Sequence, residues 1–120
     1  ALATLSYRLI GRFPRFFGRA RLAAASLFFY MGPRQRATRP LGEWNTARIV
    51  CQGTVIEHWL NDRNVLTYEL GSTAVKAGIA KSKFNKYPDF GQKLRGHIML
   101  TDHGDEAWFR AIKLRELPSP

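Results

Sequence analysis

At 120 residues the chain suits one small domain with a single core. Its formal charge of +10, taken alone, would suit nucleic acid or an anionic membrane as partner. The distribution argues against that: residues 1–40 hold eight Arg and no Lys or acid, whereas residues 41–120 hold 11 basic and 9 acidic residues.

Ala1 to Pro40 is a different kind of sequence from the rest. Arg8, Arg12, Arg15 and Arg19 follow spacings of 4, 3 and 4, which would line one side of a helix. Pro14 interrupts such a helix, and Gly11 and Gly18 weaken it. Leu22 to Met31 is apolar but short, against the roughly 20 residues a bilayer span needs. It fits a signal-peptide core, although no A-x-A site follows, and the Arg-rich, acid-free composition also resembles an organelle transit peptide. A start that is not native to the following domain is the blander reading. Strand-like fragments are confined to Leu5–Phe13 and Leu22–Tyr30, and Gly32 to Pro40 reads as a linker.

Gly42 to Asn61 predicts two strands joined by a tight turn at Gln52-Gly53. With those two residues in the loop, Arg48 faces Glu57, Thr46 faces Trp59 and Trp44 faces Asn61. On the other side Ile49 faces Ile56, Ala47 faces His58 and Asn45 faces Leu60. One face is then mostly apolar, while the other carries an ion pair and two indoles. Cys51, the single cysteine, excludes an internal disulfide and fits an inert packing residue. Asn61 to Asn64 is a turn and Val65 to Leu70 a third strand of the meander. Ser72 is a fair N-cap for a helix over Thr73 to Phe84, whose Lys76, Lys81 and Lys83 form a solvated face. Asn85 to Arg95 is a long loop, Gly96 to Thr101 a strand, Asp102 to Asp105 a turn, and Ala107 to Leu117 the last strand.

GEWNTARIV, IEHWLND and GHIMLTDHGDEAWFRAIKLREL, in that order, resemble the C-terminal part of the bacterial 3-keto-disaccharide hydrolase family, over Thr38 to Leu117. The resemblance implies an all-β fold, an antiparallel concanavalin/LamG-like jelly-roll sandwich, here with one short helix. It also implies a secreted or periplasmic hydrolase acting on glycosidic bonds of 3-keto-disaccharides or glucosides, with an oligosaccharide or small sugar as substrate. The expected organisation is an Arg-rich leader over 1–40, with membrane contact or targeting as its role, and the C-terminal part of the sandwich over 41–120. Because a sandwich buries its core between two sheets, and about five strands are recognisable, the chain as it stands is expected to be an incomplete sandwich and a weak or inactive catalyst. The family pattern carries Gly and Gln where this chain has Met99 and Thr101, and Asn where Ala111 stands.

The candidate catalytic groups are His97 and His103, which share a parity with Thr101. A histidine can act as general base or acid near neutral pH. A sugar with a keto group at C3 has an acidified C2–H for such a base, a role the family resemblance implies. The blander alternative is that both imidazoles hydrogen-bond loop carbonyls. Two His and an Asp within seven residues could also bind a metal, but Asp102 points away from both and no third ligand is evident; no cofactor is expected, with a metal left as the alternative. Trp44 and Trp59, with Asn61 beside them, are candidate sugar contacts, because an exposed indole stacks on the apolar face of a sugar; another segment covering them is the alternative. Glu57 reads as the ion-pair partner of Arg48, without a catalytic role. His58, on the Ile56–Leu60 face, reads as a buried, hydrogen-bonded imidazole. Arg110 shares a parity with Trp108 and Ile112, read as core; it is expected either to be buried against Asp102 or Glu57, or to reach the sugar. No paired carboxylates at glycosidase spacing and no phosphate loop are present, and no nucleic-acid partner is expected. Two rival functions remain at this level: a carbohydrate-binding module without turnover, and a basic membrane- or nucleic-acid-binding protein led by residues 1–40.

Overall fold

A computed structural model of the chain describes residues 1–10, 37–92, 96–100 and 106–118, with the side chains of Leu9 and Ile10 left aside. The elements are β1 (Leu2–Ile10), β2 (Asn45–Gln52), β3 (Val55–Leu60), β4 (Arg63–Glu69), α1 (Thr73–Ala80) and β5 (Glu106–Arg115). All five strands form one sheet of order β4-β3-β2-β1-β5, and every neighbouring pair is antiparallel. The fold is all-β, and the described residues supply one layer of a β-sandwich with a single short helix among them.

Each strand sorts its residues by the period-2 alternation of a pleated sheet. Arg8 lies on no helix. Thr4, Ser6 and Arg8 alternate with Ala3, Leu5 and Tyr7, and that pattern, paired on both sides, outweighs the arginine spacing. A segment expected to lie outside the sandwich thus supplies the strand between β2 and β5. The apolar run Leu22–Met31 and the arginines from Arg12 to Arg36 lie outside the described residues. Among the described residues, no helix is long and apolar enough to cross a membrane.

The β2–β3 hairpin turns at Gly53-Thr54 and not at Gln52-Gly53, because Gln52 pairs with Val55. Gly53 has φ +57, the positive angle that a type II′ turn places at its first loop position. The expected turn would have put glycine second and required a left-handed Gln52. Both arrangements keep the same residues on each face, so the expected division of faces holds while every pairing moves. Arg48 stands opposite Trp59, Val50 opposite Glu57 and Ile49 opposite His58. The β3–β4 turn is formed by Asn61 (φ 48) and Asp62 (φ 64), both left-handed as a type I′ turn demands.

One face of the sheet is the core side. Ile56 and Leu60 of β3, Leu66 of β4 and Val65 in the β4 bulge are buried, together with Val75 of α1. Ser72 caps the helix, its Oγ accepting from Val75 N. The helix ends at Ala80, short of Phe84, where the Ser82 hydroxyl donates to the Ile79 carbonyl and accepts from Phe84 N. Beyond it, Phe84 and Phe90 stack with ring centres 4.2 Å apart, and Gly91 passes close to Ile79.

Two expectations for the C-terminal third change. Residues 96–100 form no strand, and Ile98, Met99 and Leu100 are exposed; among the described residues no strand pairs with this segment, so no ladder holds it. In β5 a bulge breaks the alternation: Ser6 pairs with Arg110 but Thr4 with Lys113, and Ala111 takes φ +53. Trp108, Ile112 and Leu114, expected to be core, are therefore not one buried row, and all three are exposed.

Candidate functional site

The face opposite the core side collects the polar and aromatic residues. From β5 to β3 it presents Trp108 and Arg110, then Ser6 and Arg8, then Thr46 and Arg48 with Trp44 just before β2, then Glu57 and Trp59. All three tryptophans of the chain stand in this set.

The same small unit is built twice on this face. On β3, the Trp59 indole Nε1 donates to the Glu57 carboxylate at 2.7 Å, and Arg48 from β2 lies opposite, its guanidinium 4.4 Å from the ring centre. On β5, the Trp108 Nε1 donates to Glu106 at 2.6 Å, and Arg8 from β1 lies opposite, 5.3 Å from the ring. In each unit the acid precedes the indole by two residues, so strand alternation brings both to one face. In each, the arginine Nε is buried without a hydrogen-bond partner. Trp44 joins the second unit, with Arg8 at 5.1 Å and Arg110 at 3.8 Å from its ring centre. Trp44 and Arg48 are four positions apart in the chain, about 13 Å at a strand's rise per residue, a spacing on the scale of a short oligosaccharide.

The expected site residues fall out as follows. Trp44 and Trp59 lie on one face and are half-buried, each beneath an arginine. Arg110 is exposed and stacks on Trp44, and is not buried against Glu57; it lies two residues from Trp108 on the same face, ahead of the bulge. The expected Arg48–Glu57 pair is replaced by Arg48 on Trp59 and Glu57 on the indole N–H, the consequence of the shifted turn. Asn61 is engaged within the protein. Its Nδ2 donates to Ala37 O and Asn45 Oδ1, and its Oδ1 accepts from Thr46 N at 2.9 Å. His58 is on the core side, with Nε2 3.4 Å from the Tyr68 hydroxyl and the two rings edge to face. His97 is exposed in the irregular segment 96–100. His103, Thr101 and Asp102 lie outside the described residues. Among the described residues, no group of three or more His, Cys, Asp or Glu side chains could hold a metal ion.

Arg8 and Trp108 were missed as members of this face, whereas Arg48 was expected on it. The signal that could have found two of the units is the recurrence of Glu-x-Trp, at Glu57–Trp59 and Glu106–Trp108, each inside an alternating strand.

An indole face that is clamped by a guanidinium on one side and fixed by a carboxylate at its N–H is a rigid stacking platform. Such a platform suits a flat, weakly polar ring surface bordered by hydroxyls. Comparison with known proteins bears on what that ring is. Residues 15–115 match the 3-keto-alpha-glucoside-1,2-lyase-like domain. A 3-keto-disaccharide hydrolase of Bacteroides thetaiotaomicron is 37% identical over 105 residues, which cover 78% of this chain and 36% of that protein. The chain thus spans about a third of the length of that curated relative. The fold is also that of a crystal structure from Parabacteroides distasonis whose name assigns it to the glycosyl hydrolases. That likeness has a TM-score of 0.79 at 16% identity, over 92% of this chain and 69% of the other. A second protein of that organism, named in the same way, gives a TM-score of 0.52 at 17% identity, over 57% of this chain and 50% of the other.

Proposed function

The chain belongs to the 3-keto-alpha-glucoside-1,2-lyase-like family, and from that premise we propose that it acts on glycosidic bonds of 3-keto-disaccharides or 3-keto-glucosides. The observation that carries the reading to this chain's own residues is the face of three tryptophans and three stacked arginines. A sugar ring lies on an indole through its C–H surface, while guanidinium donors at the rim meet its hydroxyl and keto oxygens.

The chemistry follows from the substrate. A keto group at C3 makes the C2–H acidic. A general base takes that proton, and the electron pair moves into C2–C3 and onto the keto oxygen. Its return expels the oxygen substituent from C1, leaving a C1–C2 double bond; a water added across that bond completes a net hydrolysis. His103 and His97 are the bases this reading assigns. Trp44, Trp59 and Arg110 are the substrate contacts it assigns, with Trp108 and Arg8 added from the geometry.

One observation favours a second reading, sugar binding without turnover: among the described residues, the tryptophan face carries no imidazole. A single experiment separates the two. The purified chain is incubated with a 3-keto-disaccharide, and both binding, read by tryptophan fluorescence, and release of the monosaccharides are followed. Binding with release that is lost in His103→Ala supports the enzyme. Binding without release supports the module, and no binding removes both.

A further inference from the structure

Trp44 differs from the other two tryptophans of this face in how the backbone holds it. Trp59 and Trp108 lie within β3 and β5, opposite Arg48 and Arg8. Trp44 stands one residue before β2, where the pairing with β1 reaches only as far as Asn45 opposite Tyr7. Its indole nonetheless has a defined place, with Arg8 and Arg110 both lying against it. Contacts other than strand pairing therefore fix this residue.

Those contacts come from two side-chain amides. Asn45, next to Trp44, is only 5% exposed, a buried polar residue that must find partners inside the protein. Its Oδ1 accepts from Arg39 N and from Asn61 Nδ2, each at 2.8 Å, and its Nδ2 donates to Glu43 O at 3.4 Å. Arg39 in turn donates through Nη1 to the carbonyl of Trp44 at 3.3 Å. Asn61 supplies the other half. Its Nδ2 also donates to Ala37 O at 2.6 Å, which ties down the segment leading to Trp44. Its Oδ1 accepts from Thr46 N at 2.9 Å, while its own backbone N–H donates to Thr46 O at 2.9 Å. The side-chain oxygen thus takes the part that a backbone carbonyl has in an antiparallel pair, at the residue where the chain enters its left-handed turn (φ 48).

The partners settle which way the Asn61 carboxamide points, because Ala37 O can only accept and Thr46 N can only donate. Both Nδ2 donors are then spent inside the protein, and none is left for a sugar hydroxyl. Asparagine also meets every demand at this place. Aspartate tolerates the left-handed backbone and accepts from Thr46 N but has no donor; glycine suits the backbone and has neither group.

We propose that Asn61 is a positioning residue. Through Asn45 and Ala37 it sets the place of Trp44, and through Trp44 that of the Arg8 and Arg110 guanidinium groups. Its bearing on substrate rests on the reading of this face as a sugar site, in which those groups are rim donors.

The test labels the full 120-residue chain with 5-fluorotryptophan and follows its three fluorine resonances in Asn61→Asp and Asn61→Gly. Trp44→Phe, Trp59→Phe and Trp108→Phe assign the signals. Asn61 is two residues from Trp59 along the chain and 17 from Trp44, so a merely local disturbance of the turn would move Trp59 first. The expected result is the reverse: the Trp44 resonance shifts or broadens in both variants, and that of Trp59 keeps its position. An unchanged Trp44, a Trp59 that moves as far or further, or loss of fold by circular dichroism in both variants overturns the proposal. Should only one variant fold, its spectrum decides. The same samples are titrated with a 3-keto-disaccharide, and binding is expected to weaken about fivefold, the worth of one lost hydrogen bond. Weakened binding with an unmoved Trp44 would make Asn61 a direct sugar contact and overturn the positioning role. If the native chain binds no sugar, the sugar reading falls, and the Trp44 resonance still decides whether Asn61 positions that indole.

Discussion

Arg48 and Trp59 stand directly opposite each other on β2 and β3, with the guanidinium 4.4 Å from the centre of the indole. Glu57 is two pairs further toward the turn, opposite Val50, and accepts the Trp59 N–H at 2.7 Å. The carboxylate therefore orients an aromatic ring and neutralises no arginine directly. A Glu57→Gln protein keeps a carbonyl acceptor in the same place. Its urea midpoint should correspond to a loss of no more than about 1 kcal/mol, with sugar binding retained. A loss several times larger would mean that the negative charge itself holds the face together.

Ala111 sits at φ +53 in the β5 bulge. A left-handed backbone costs an L-residue with a Cβ on the order of 1–2 kcal/mol, which glycine escapes and asparagine partly offsets through its short polar side chain. Ala111→Gly and Ala111→Asn should each raise the thermal midpoint, by an amount equivalent to about 0.5–1 kcal/mol. Asparagine is the residue that the family pattern places there. An unchanged or lowered midpoint in both would show that the strain is absorbed elsewhere.

Gly91 combines two constraints, φ +75 and a position where an added Cβ would come within 2.9 Å of Ile79 Cδ1. Gly71 has the first constraint alone, at φ +80 with nothing within 4 Å. Both alanine variants should be destabilised by about 1 kcal/mol or more through the backbone. Gly91→Ala should be the worse of the two, since the helix side chain must also move. Equal losses in chemical denaturation would indicate that Ile79 yields freely.

Tyr7, on the core-side face of β1, has its hydroxyl pushed up to about 12 by burial, against an ordinary value of 10.0. The phenol is neutral in both folded and unfolded chain below pH 10, so its contribution is intact there. Between pH 10 and 12 the unfolded chain ionises first and stability falls, by up to roughly 2–3 kcal/mol for a shift of this size. Tyr7→Phe should flatten the denaturation midpoint over that interval relative to the native chain. Parallel curves would assign the alkaline loss to other groups.

Much of the sheet could be read from residue order, and what escaped did so for identifiable reasons. The two faces of the Asn45–Leu60 hairpin were legible because a shift of a whole residue pair leaves side-chain parity untouched, while the pairing itself depended on whether Gly53 stood first or second in the turn. Ser72 announced its helix, since a hydroxyl before a run of helix formers is a local signal. β1 was obscured by arginines whose spacing imitates a helix, although its alternation was present. The re-phasing of β5 was not legible, because a bulge at alanine leaves no compositional mark. Of the candidate site, Trp44 and Trp59 were visible from their common parity. Arg48 was visible on that face too, though paired with Glu57 and not Trp59; the arginines on Trp44 were not, as Arg8 and Arg110 come from strands that only the sheet order brings together.

That sheet order also governs how the domain assembles. β2, β3 and β4 are consecutive hairpins, so their ladders close over short loops and can form early. Among the described residues β5 pairs with β1 alone, through partners on the order of 100 residues apart in the chain. Closing so long a loop carries its entropic cost before any contact repays it, which makes this the late and slow ladder of folding. Because Arg8, Arg110 and Trp108 lie on that ladder, the cluster of stacked arginines and indoles around Trp44 and Trp108 should mature after the hairpins, and fluorescence from Trp108 should lag behind that from Trp59 in a refolding experiment.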